Sequence, residues 1–219
     1  TVSRNQSGKY FASVLTDTSI DAPTVSFDGK IIGIDIGLTH LAVTSEGSKF
    51  DNPRHLAKAT KNLKCKQQKL SRKVKGSNTR NKARILVAKA HEHVANARKD
   101  WLHKLSRKLV DENQVIAVED LHVKGMMKNH CLAKAIGDVG WNMFTGFLEY
   151  KAMRTGKGFI KVNRFFPSSK SCSCCMHVQA SMPLNIRSWR CDKCGTLHER
   201  DIKAAKNFRL EEQPMIAAV

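Results

Sequence analysis

Two pairs of cysteines near the C-terminus have the spacing of metal ligands. Cys172 and Cys175 form one CxxC pair, Cys191 and Cys194 form a second, and fifteen residues separate the two pairs. Each CxxC places two sulfurs on one tight turn, and two such turns supply the corners of a tetrahedral zinc site. The pattern predicts one structural zinc ion, because four protein ligands leave no coordination position open for a substrate.

Other residues in the same stretch are weaker candidates for ligands. Cys174 lies inside the first pair and could compete with its neighbours, and His177 or His198 could replace a cysteine. The chain has seven cysteines, and five of them fall in this stretch. An odd, clustered set without the charged-then-apolar layout of a secretory signal indicates metal binding in a reducing compartment rather than a disulfide framework.

Three isolated carboxylates could form a second metal site. Asp35 ends the apolar segment 30–36, Glu119 ends the apolar segment 115–119, and Asp201 begins a helix directly after the cysteines. A carboxylate on a buried strand is costly unless it is paired or bound to metal. Oxygen ligands suit Mg²⁺ or Mn²⁺, and one or two such ions could activate water for phosphodiester cleavage.

Each acid also has an ordinary explanation. Asp35 could be a turn residue, Glu119 a salt-bridge partner and Asp201 a helix N-cap. The stretch GIDIGLTH (33–40) could instead be a phosphate-binding turn of the kind found in actin-like ATPases. That interpretation requires further glycine-rich phosphate loops, and the sequence contains none.

The charge of the chain favours a polyanionic partner. Its 219 residues include 38 Lys and Arg against 19 Asp and Glu, for a formal net charge of +19. Nucleic acid is the first candidate, an acidic membrane surface the second, and a merely solubilising surface the alternative. Aromatic residues make up only 6% of the chain, which favours contacts to backbone phosphates over a surface built on base stacking.

The positive charge is concentrated in one stretch. Residues 54–84 contain twelve lysines and arginines and no acid. Leucines recur there every seven residues, a second apolar stripe follows in residues 79–110, and Gly-Ser-Asn lies between them, so we expect an antiparallel helical hairpin. An ordinary solvated helix face usually mixes charge signs, so this one is predicted to contact nucleic acid. The residues expected to do so are Lys61, Lys64, Lys69, Arg72, Lys73, Arg80 and Arg84.

The remaining pattern predicts a mixed α/β fold that positions the acids. Residues 30–36, 41–44 and 49–50 alternate as three short strands of a meander. The wholly apolar VIAV before Glu119 indicates a strand buried on both faces. A helix over 133–153, a strand over 159–162 and a helix over 201–212 complete the pattern. No apolar run is long enough for a transmembrane helix.

The chain resembles the C-terminal part of TnpB, the OrfB-type protein family of bacterial insertion sequences, which is related to type V CRISPR effectors. The similarity covers most of the chain in the family's order, and the combination of acids and paired cysteines is specific. The matching stretches are GIDIGLTHLAV (33–43), VIAVEDL (115–121), LAKAIGDVGWNMFTGFLEYKA (132–152), PSSKSCSCC (167–175), RSWRCDKCGTLHERD (187–201) and AAKNF (204–208).

The resemblance implies an α/β fold of the RNase H-like (RuvC) type, with a mixed sheet, flanking helices, a long basic helical hairpin and an inserted zinc ribbon. Residues 1–23 would be the remnant of a preceding β domain. Residues 24–166 would form the nuclease domain, with the hairpin at 54–112, residues 167–198 the zinc ribbon, and residues 199–219 the last helix and a tail.

The resemblance also assigns roles to residues. Asp35, Glu119 and Asp201 align with the family's three metal-binding acids, and the four CxxC cysteines align with its zinc ligands. Family members are RNA-guided DNA endonucleases, and many are described as transposases. We therefore expect one structural Zn²⁺, one or two catalytic Mg²⁺ or Mn²⁺ ions, guide RNA and target DNA as partners, no membrane, and a place in the cytoplasm beside a bacterial or archaeal nucleoid.

The chain departs from the family in three respects. Members are usually much longer, so this chain is expected to be a fragment, a truncated gene or one half of a split protein whose N-terminal half lies on another chain. Lys203 stands where the family usually has Asn, which predicts a positive charge beside the acids and weaker metal binding. Met176 stands where Gly is usual.

Two other functions compete with the nuclease interpretation. A truncated member could bind nucleic acid without cleaving it and act as an RNA-guided repressor. A DNA-strand-joining transposase would need its own end-recognition domain, and 219 residues leave no obvious place for one.

Overall fold

A computed structural model describes residues 1–17, 21, 23–183 and 186–216. Of the predicted tail, residues 217–219 lie outside these ranges. The chain divides into two compact units, one formed by Thr1–Asp21 and Arg54–Trp101, the other by Ala22–Pro53 and Leu102–Val219. In the described ranges, no helix combines the length and the apolar character needed to cross a membrane.

The first unit contains the predicted helical hairpin. Strands β1 (Val2–Arg4) and β2 (Tyr10–Ala12) pair antiparallel. Helix α1 (His55–Ser71) and the first part of helix α2 (Asn78–Glu112) form the hairpin, in which Leu63 is buried. The apolar heptad spacing therefore predicted these helices correctly, because one stripe of leucines is enough to pack each against its neighbour.

The second unit is built on a mixed sheet with the strand order β5-β4-β3-β6-β7. Its strands are β3 (Ile31–Ile36), β4 (His40–Thr44), β5 (Lys49–Asp51), β6 (Val115–Glu119) and β7 (Gly158–Val162). The meander β3-β4-β5 is antiparallel, whereas β3, β6 and β7 run parallel to one another. The carboxyl ends of these three parallel strands therefore meet at one edge of the sheet.

The prediction of one continuous helix over residues 133–153 is wrong, because the helix is interrupted there. A short helix α3 (Val123–Met126) is followed by α4 (His130–Val139) and α5 (Trp141–Arg154). Gly140 lies between α4 and α5 with φ of 74°, a left-handed conformation that glycine adopts at little cost. The break lets Trp141 donate its Nε1–H to the carbonyl of Gly37, at 3.2 Å, which fixes α5 to the turn after β3.

The last helix, α6 (Arg200–Ile216), packs across the middle of the sheet, against β3, β4, β6 and β7. Phe208 of α6 forms a buried cluster with Ala117 of β6 and Val162 of β7. Gly33 of β3 allows the helix backbone to approach the strand directly. The strands β8 (Ser188–Arg190) and β9 (Leu197–Glu199), which pair antiparallel, lie in the segment that precedes α6.

Candidate active site and metal centre

Asp35 and Glu119 lie side by side at the carboxyl edge of the parallel strands. The register of β3 and β6 pairs Gly33 with Ala117 and Ile34 with Val118, and its next step sets Asp35 beside Glu119. Side chains alternate along a strand, so each acid shares a face with the residue two positions before it. Gly33 and Ala117 both face α6, and the two acids therefore lie on the α6 side of the sheet.

Asp201 lies in the first turn of α6, one turn before the place where that helix meets Gly33. Its Oδ1 accepts from Nη1 of Arg187 at 3.3 Å. The structure thus directs all three predicted acids to one region, although Asp201 is engaged there by an arginine.

The charges of Asp201 and Glu119 act on Asp35. Burial first, and then the negative charges of Asp201 and Glu119, raise the pKa of Asp35 from its ordinary value of 3.8 to about 8, against the opposing effect of Arg200. The pKa of Glu119 is also raised, first by burial and then by the charge of Asp120. Carboxyl groups whose pKa is raised by burial and by like charges are common at functional sites, and a bound cation is one way to stabilise their charged form.

A small cavity opens beside Glu119. Its volume is about 120 Å³, and Trp141, Asn142, Thr145 and Lys161 contribute to its lining. Asp120, the next residue along the chain, forms an ion pair with Arg164.

The four CxxC cysteines form a closed set. The sulfurs of Cys172, Cys175, Cys191 and Cys194 all lie within 4.8 Å of one another, with 3.6 Å between Cys172 and Cys194 and between Cys175 and Cys191. A tetrahedron with Zn–S bonds of about 2.3 Å has sulfurs about 3.8 Å apart, so the set fits a zinc ion. Among the described residues, the four cysteines are the one group of three or more metal-ligating side chains whose ligand atoms lie close enough together to hold an ion. The three acids do not form such a close group.

The weaker candidates do not join this set. Cys174 is exposed, and its backbone N–H points to the sulfur of Cys172. His198 is buried with Nε2 3.0 Å from the same sulfur, so it lies beside a ligand rather than replacing one. Hydrogen bonding with the side chain and backbone of Thr196 lowers the pKa of the Cys194 thiol to about 6, which favours the thiolate that metals bind.

Lys203 does not point to the acids, and the expectation that its charge would weaken metal binding there is corrected. The side chain is 1% exposed, and Nζ donates to the carbonyl of Ser169 at 2.6 Å. Its ammonium lies 4.5 Å from the ring centre of Trp189. Burial lowers the pKa of Lys203 to about 8. The cation that acts on Asp35 is Arg200 instead.

Asn207, one turn after Lys203, is a residue that the sequence analysis missed. Its Nδ2 donates to the carbonyls of Ser168 and Ser171, at 2.7 and 2.8 Å, and the side chain is fully buried. The helix that carries Asp201 thus holds the loop that leads into Cys172. A buried amide in an otherwise apolar helix face was the available signal, because such groups need hydrogen-bond partners.

The predicted basic residues lie on the helical hairpin of the first unit, and most are exposed. Arg80 has a structural task as well: Nη1 donates to the carbonyls of Leu70 and Lys73, both at 3.0 Å, and closes the end of α1. The exposed members are Lys61, Lys64, Lys69, Arg72, Lys73 and Arg84.

Two family models match the chain, one over its N-terminal portion and one over its C-terminal portion. The OrfB_IS605 family, described as "Probable transposase", matches residues 13–130. The TNB domain of Cas12f1-like proteins matches residues 141–208, the stretch that holds the cysteines and most of α6.

Curated relatives agree with this assignment. A "Putative RNA-guided DNA endonuclease" of Streptomyces pristinaespiralis is 44% identical over 209 residues, which are 95% of this chain and 51% of the relative. The "Putative RNA-guided DNA endonuclease InsQ" of Escherichia coli K12 is 30% identical over 216 residues, 92% of this chain and 53% of the relative. The chain thus spans about half the length of these relatives.

A solved structure shares the fold. One chain in the "Cryo-EM structure of the Cas12f1-sgRNA-target DNA complex" superposes with a TM-score of 0.59 and 18% sequence identity, over 95% of this chain and 55% of the other. The family match over more than half of the sequence, and the 44% identity to the Streptomyces relative, show that the chain belongs to the OrfB (TnpB) family.

Proposed function

We propose that this chain is the nuclease portion of a metal-dependent, RNA-guided DNA endonuclease. The observation that carries the proposal is that Asp35 and Glu119 lie at the ends of two neighbouring parallel strands, with the charges of Glu119 and of Asp201, at the start of α6, acting on Asp35. The names of the relatives support the same activity, since they are called RNA-guided DNA endonucleases. We further propose that the second unit has a RuvC-like, RNase H-like fold, with residues 167–198 as its zinc ribbon.

Asp35, Glu119 and Asp201 would hold one or two Mg²⁺ or Mn²⁺ ions. When bound, such ions lower the pKa of water and stabilise the charge that develops on the leaving oxygen. The chain's own part is to gather three carboxyl groups at a sheet edge and to keep Asp35 in surroundings where a bound cation is strongly favoured. The overall reaction would be hydrolysis of the P–O3′ bond: the oxygen of water would be added to phosphorus and a proton to the departing 3′ oxygen, leaving a 5′-phosphate and a 3′-hydroxyl.

Arg187 would have to release Asp201 when a divalent ion binds. This ion pair is largely exposed on the arginine side and therefore contributes little free energy, so its exchange for a metal ion is easy. Arg187 freed in this way is well placed to contact a backbone phosphate of the bound strand.

The four-cysteine centre would hold one structural zinc ion. A closed set of four thiolates leaves no position for water, so zinc would stabilise the segment and take no part in chemistry. The helical hairpin would contact the backbone of guide RNA or target DNA through Lys61, Lys64 and the other exposed cations, since such contacts need no base sequence.

A cleavage assay tests the proposal. The full chain is incubated with labelled single-stranded DNA and Mg²⁺ or Mn²⁺, with and without its transposon-encoded RNA, beside the variant Asp35→Ala. We expect metal-dependent cutting that Asp35→Ala abolishes, and binding that weakens steeply as salt rises. Cutting that survives Asp35→Ala would contradict the active-site assignment, and binding without any cutting would favour the repressor.

A further inference from the structure

Phe165 is the most exposed aromatic side chain in the described part of the chain. It is 86% exposed, compared with 69% for Tyr10. Transfer of a phenyl ring from water to an apolar surface is worth about 2–3 kcal/mol, so such a ring gains much from a partner.

The turn that carries Phe165 holds the ring outward. Asn163 organises it: its Oδ1 accepts from the backbone N–H of Phe165, and its carbonyl accepts from the N–H of Phe166, each at 2.9 Å. Phe166 packs inward against the cluster of Ala117, Val162 and Phe208. One phenylalanine therefore anchors the turn, and the next is presented to solvent on a fixed backbone.

This turn lies at the same sheet edge as the acids. Val162, the last residue of β7, pairs with Glu119, and the N–H of Asp120 donates to the Val162 carbonyl at 3.0 Å. The ion pair of Arg164 with Asp120 ties the turn to the strand that carries Glu119. Three residues of chain span at most about 11 Å, and neighbouring strands are about 4.8 Å apart, so Phe165 lies within about 16 Å of Glu119.

We propose that Phe165 is a stacking platform for a base of the single-stranded DNA held at the candidate active site. The inference rests on the proposed function and adds a binding residue to it. A strand with its scissile phosphate at the acids would pass this ring within a few nucleotides. Every base has a π-face, so stacking positions the strand without selecting a sequence, as a guided nuclease requires, and it contributes about 1–3 kcal/mol per base.

The test places 2-aminopurine at successive positions of a single-stranded oligonucleotide and measures its fluorescence on the full-length Asp35→Ala protein. Stacking on an aromatic ring quenches this base. We expect quenching at one or two adjacent positions, its loss in Asp35→Ala/Phe165→Ala, and its retention in Asp35→Ala/Phe165→Trp. Phe11→Ala, an exposed phenylalanine of the first unit, is the matched control and should leave quenching unchanged.

A second readout uses cleavage by proteins with Asp35 intact. Phe165→Ala should raise KM about five- to a hundredfold, and an abasic nucleotide at the quenched position should remove that difference between the variant and the original protein. Quenching that persists in Phe165→Ala, or a KM effect that persists on the abasic strand, overturns the proposal. A protein that binds and quenches but never cuts contradicts the proposed function and leaves the platform supported, so the two failures are distinguishable.

Discussion

The backbone of Gly33 lies directly against the carbonyl of Ala205: a methyl group at Gly33 would be 1.9 Å from that oxygen. Asp35 lies two residues after Gly33 on the same face of β3, and Asp201 lies one helical turn before Ala205. The close approach of strand and helix is therefore what brings the first acid and the last acid together, although 166 positions separate them in the sequence.

Gly33→Ala is predicted to disturb both stability and the site. The contact is with backbone, which cannot rotate away, so α6 must shift, and we expect a loss of about 1–3 kcal/mol in the free energy of unfolding. Cleavage should fall more than stability does, because Asp201 moves with the helix. Chemical denaturation and cleavage rates measure the two effects. Gly146→Ala is the control, since nothing lies within 4 Å of its Cβ position on α5, and it should be neutral or slightly stabilising.

Asp35→Asn is predicted to abolish cleavage while stabilising the metal-free protein. Between about pH 4 and 8 the folded carboxyl keeps a proton that the unfolded chain releases, so the stability of the original protein falls as pH rises through this window. The variant lacks this slope and should be more stable by about 2 kcal/mol at pH 7. Unfolding at several pH values, in buffer without Mg²⁺ or Mn²⁺ and with zinc kept bound, checks it, with the exposed Asp28→Asn as control. Equal pH slopes for Asp35→Asn and the original protein would contradict the burial of this charge.

The sequence predicted the parts of the site that depend on local pattern. Apolar alternation placed Asp35 and Glu119 on buried strands, and CxxC spacing identified the four sulfurs that the structure brings together. Such signals lie within a few residues of one another, so they can be recognised without knowing the tertiary fold. Trp189, in the same stretch, is buried beside Cys172 and Cys191.

Features that depend on contacts between distant segments were not predictable. The break at Gly140 is set by the fit of Trp141 to Gly37, which no helical periodicity reveals. The direction of Lys203 depends on which side of α6 faces the cysteine-bearing segment, and the sequence alone placed its charge at the wrong site. The convergence of Asp201 on Asp35 likewise required the contact at Gly33.

Met176→Gly is predicted to stabilise the cysteine-bearing segment. Met176 has φ of 57°, a left-handed conformation that costs a side-chain-bearing residue about 1–2 kcal/mol and costs glycine little. Part of that gain is offset by the extra freedom of glycine in the unfolded chain, so we expect a net increase of about 0.5–1 kcal/mol. Thermal unfolding of the zinc-loaded protein measures it. Ser173→Gly, in the same turn with ordinary φ, should be destabilising instead, and a loss of stability in Met176→Gly would refute the strain.

Lys203→Asn is predicted to be destabilising, although Asn is the residue usual in the family. The shorter side chain loses the hydrogen bond to Ser169 and the contact with the Trp189 ring, and the part-buried carbonyl of Ser169 loses its charged donor. A loss of about 1–3 kcal/mol is expected from such a change. Lys206→Ala, an exposed lysine on the same helix, is the matched control and should change stability by less than about 0.5 kcal/mol. A Lys203→Asn protein with stronger metal binding at the acids and unchanged stability would restore the original expectation for this residue.

Removal of zinc is predicted to unfold residues 167–198 and to abolish cleavage, although zinc takes no part in the reaction. The buried core of this segment consists of little more than Cys172, Trp189 and Cys191, so metal binding must supply much of its folding free energy. The loss of zinc would free Arg187 from Asp201 and release the loop held by Asn207, which leaves the last acid without its surroundings.

Metal analysis should return one zinc per chain, and hydrogen exchange after chelation should rise in residues 167–198 while β3 and β6 stay protected. Cys191→Ser should reproduce the effect of chelation, whereas Cys65→Ser, an exposed cysteine on α1, should not. Full cleavage by a zinc-free protein would show instead that α6 holds Asp201 in place without help from the cysteines.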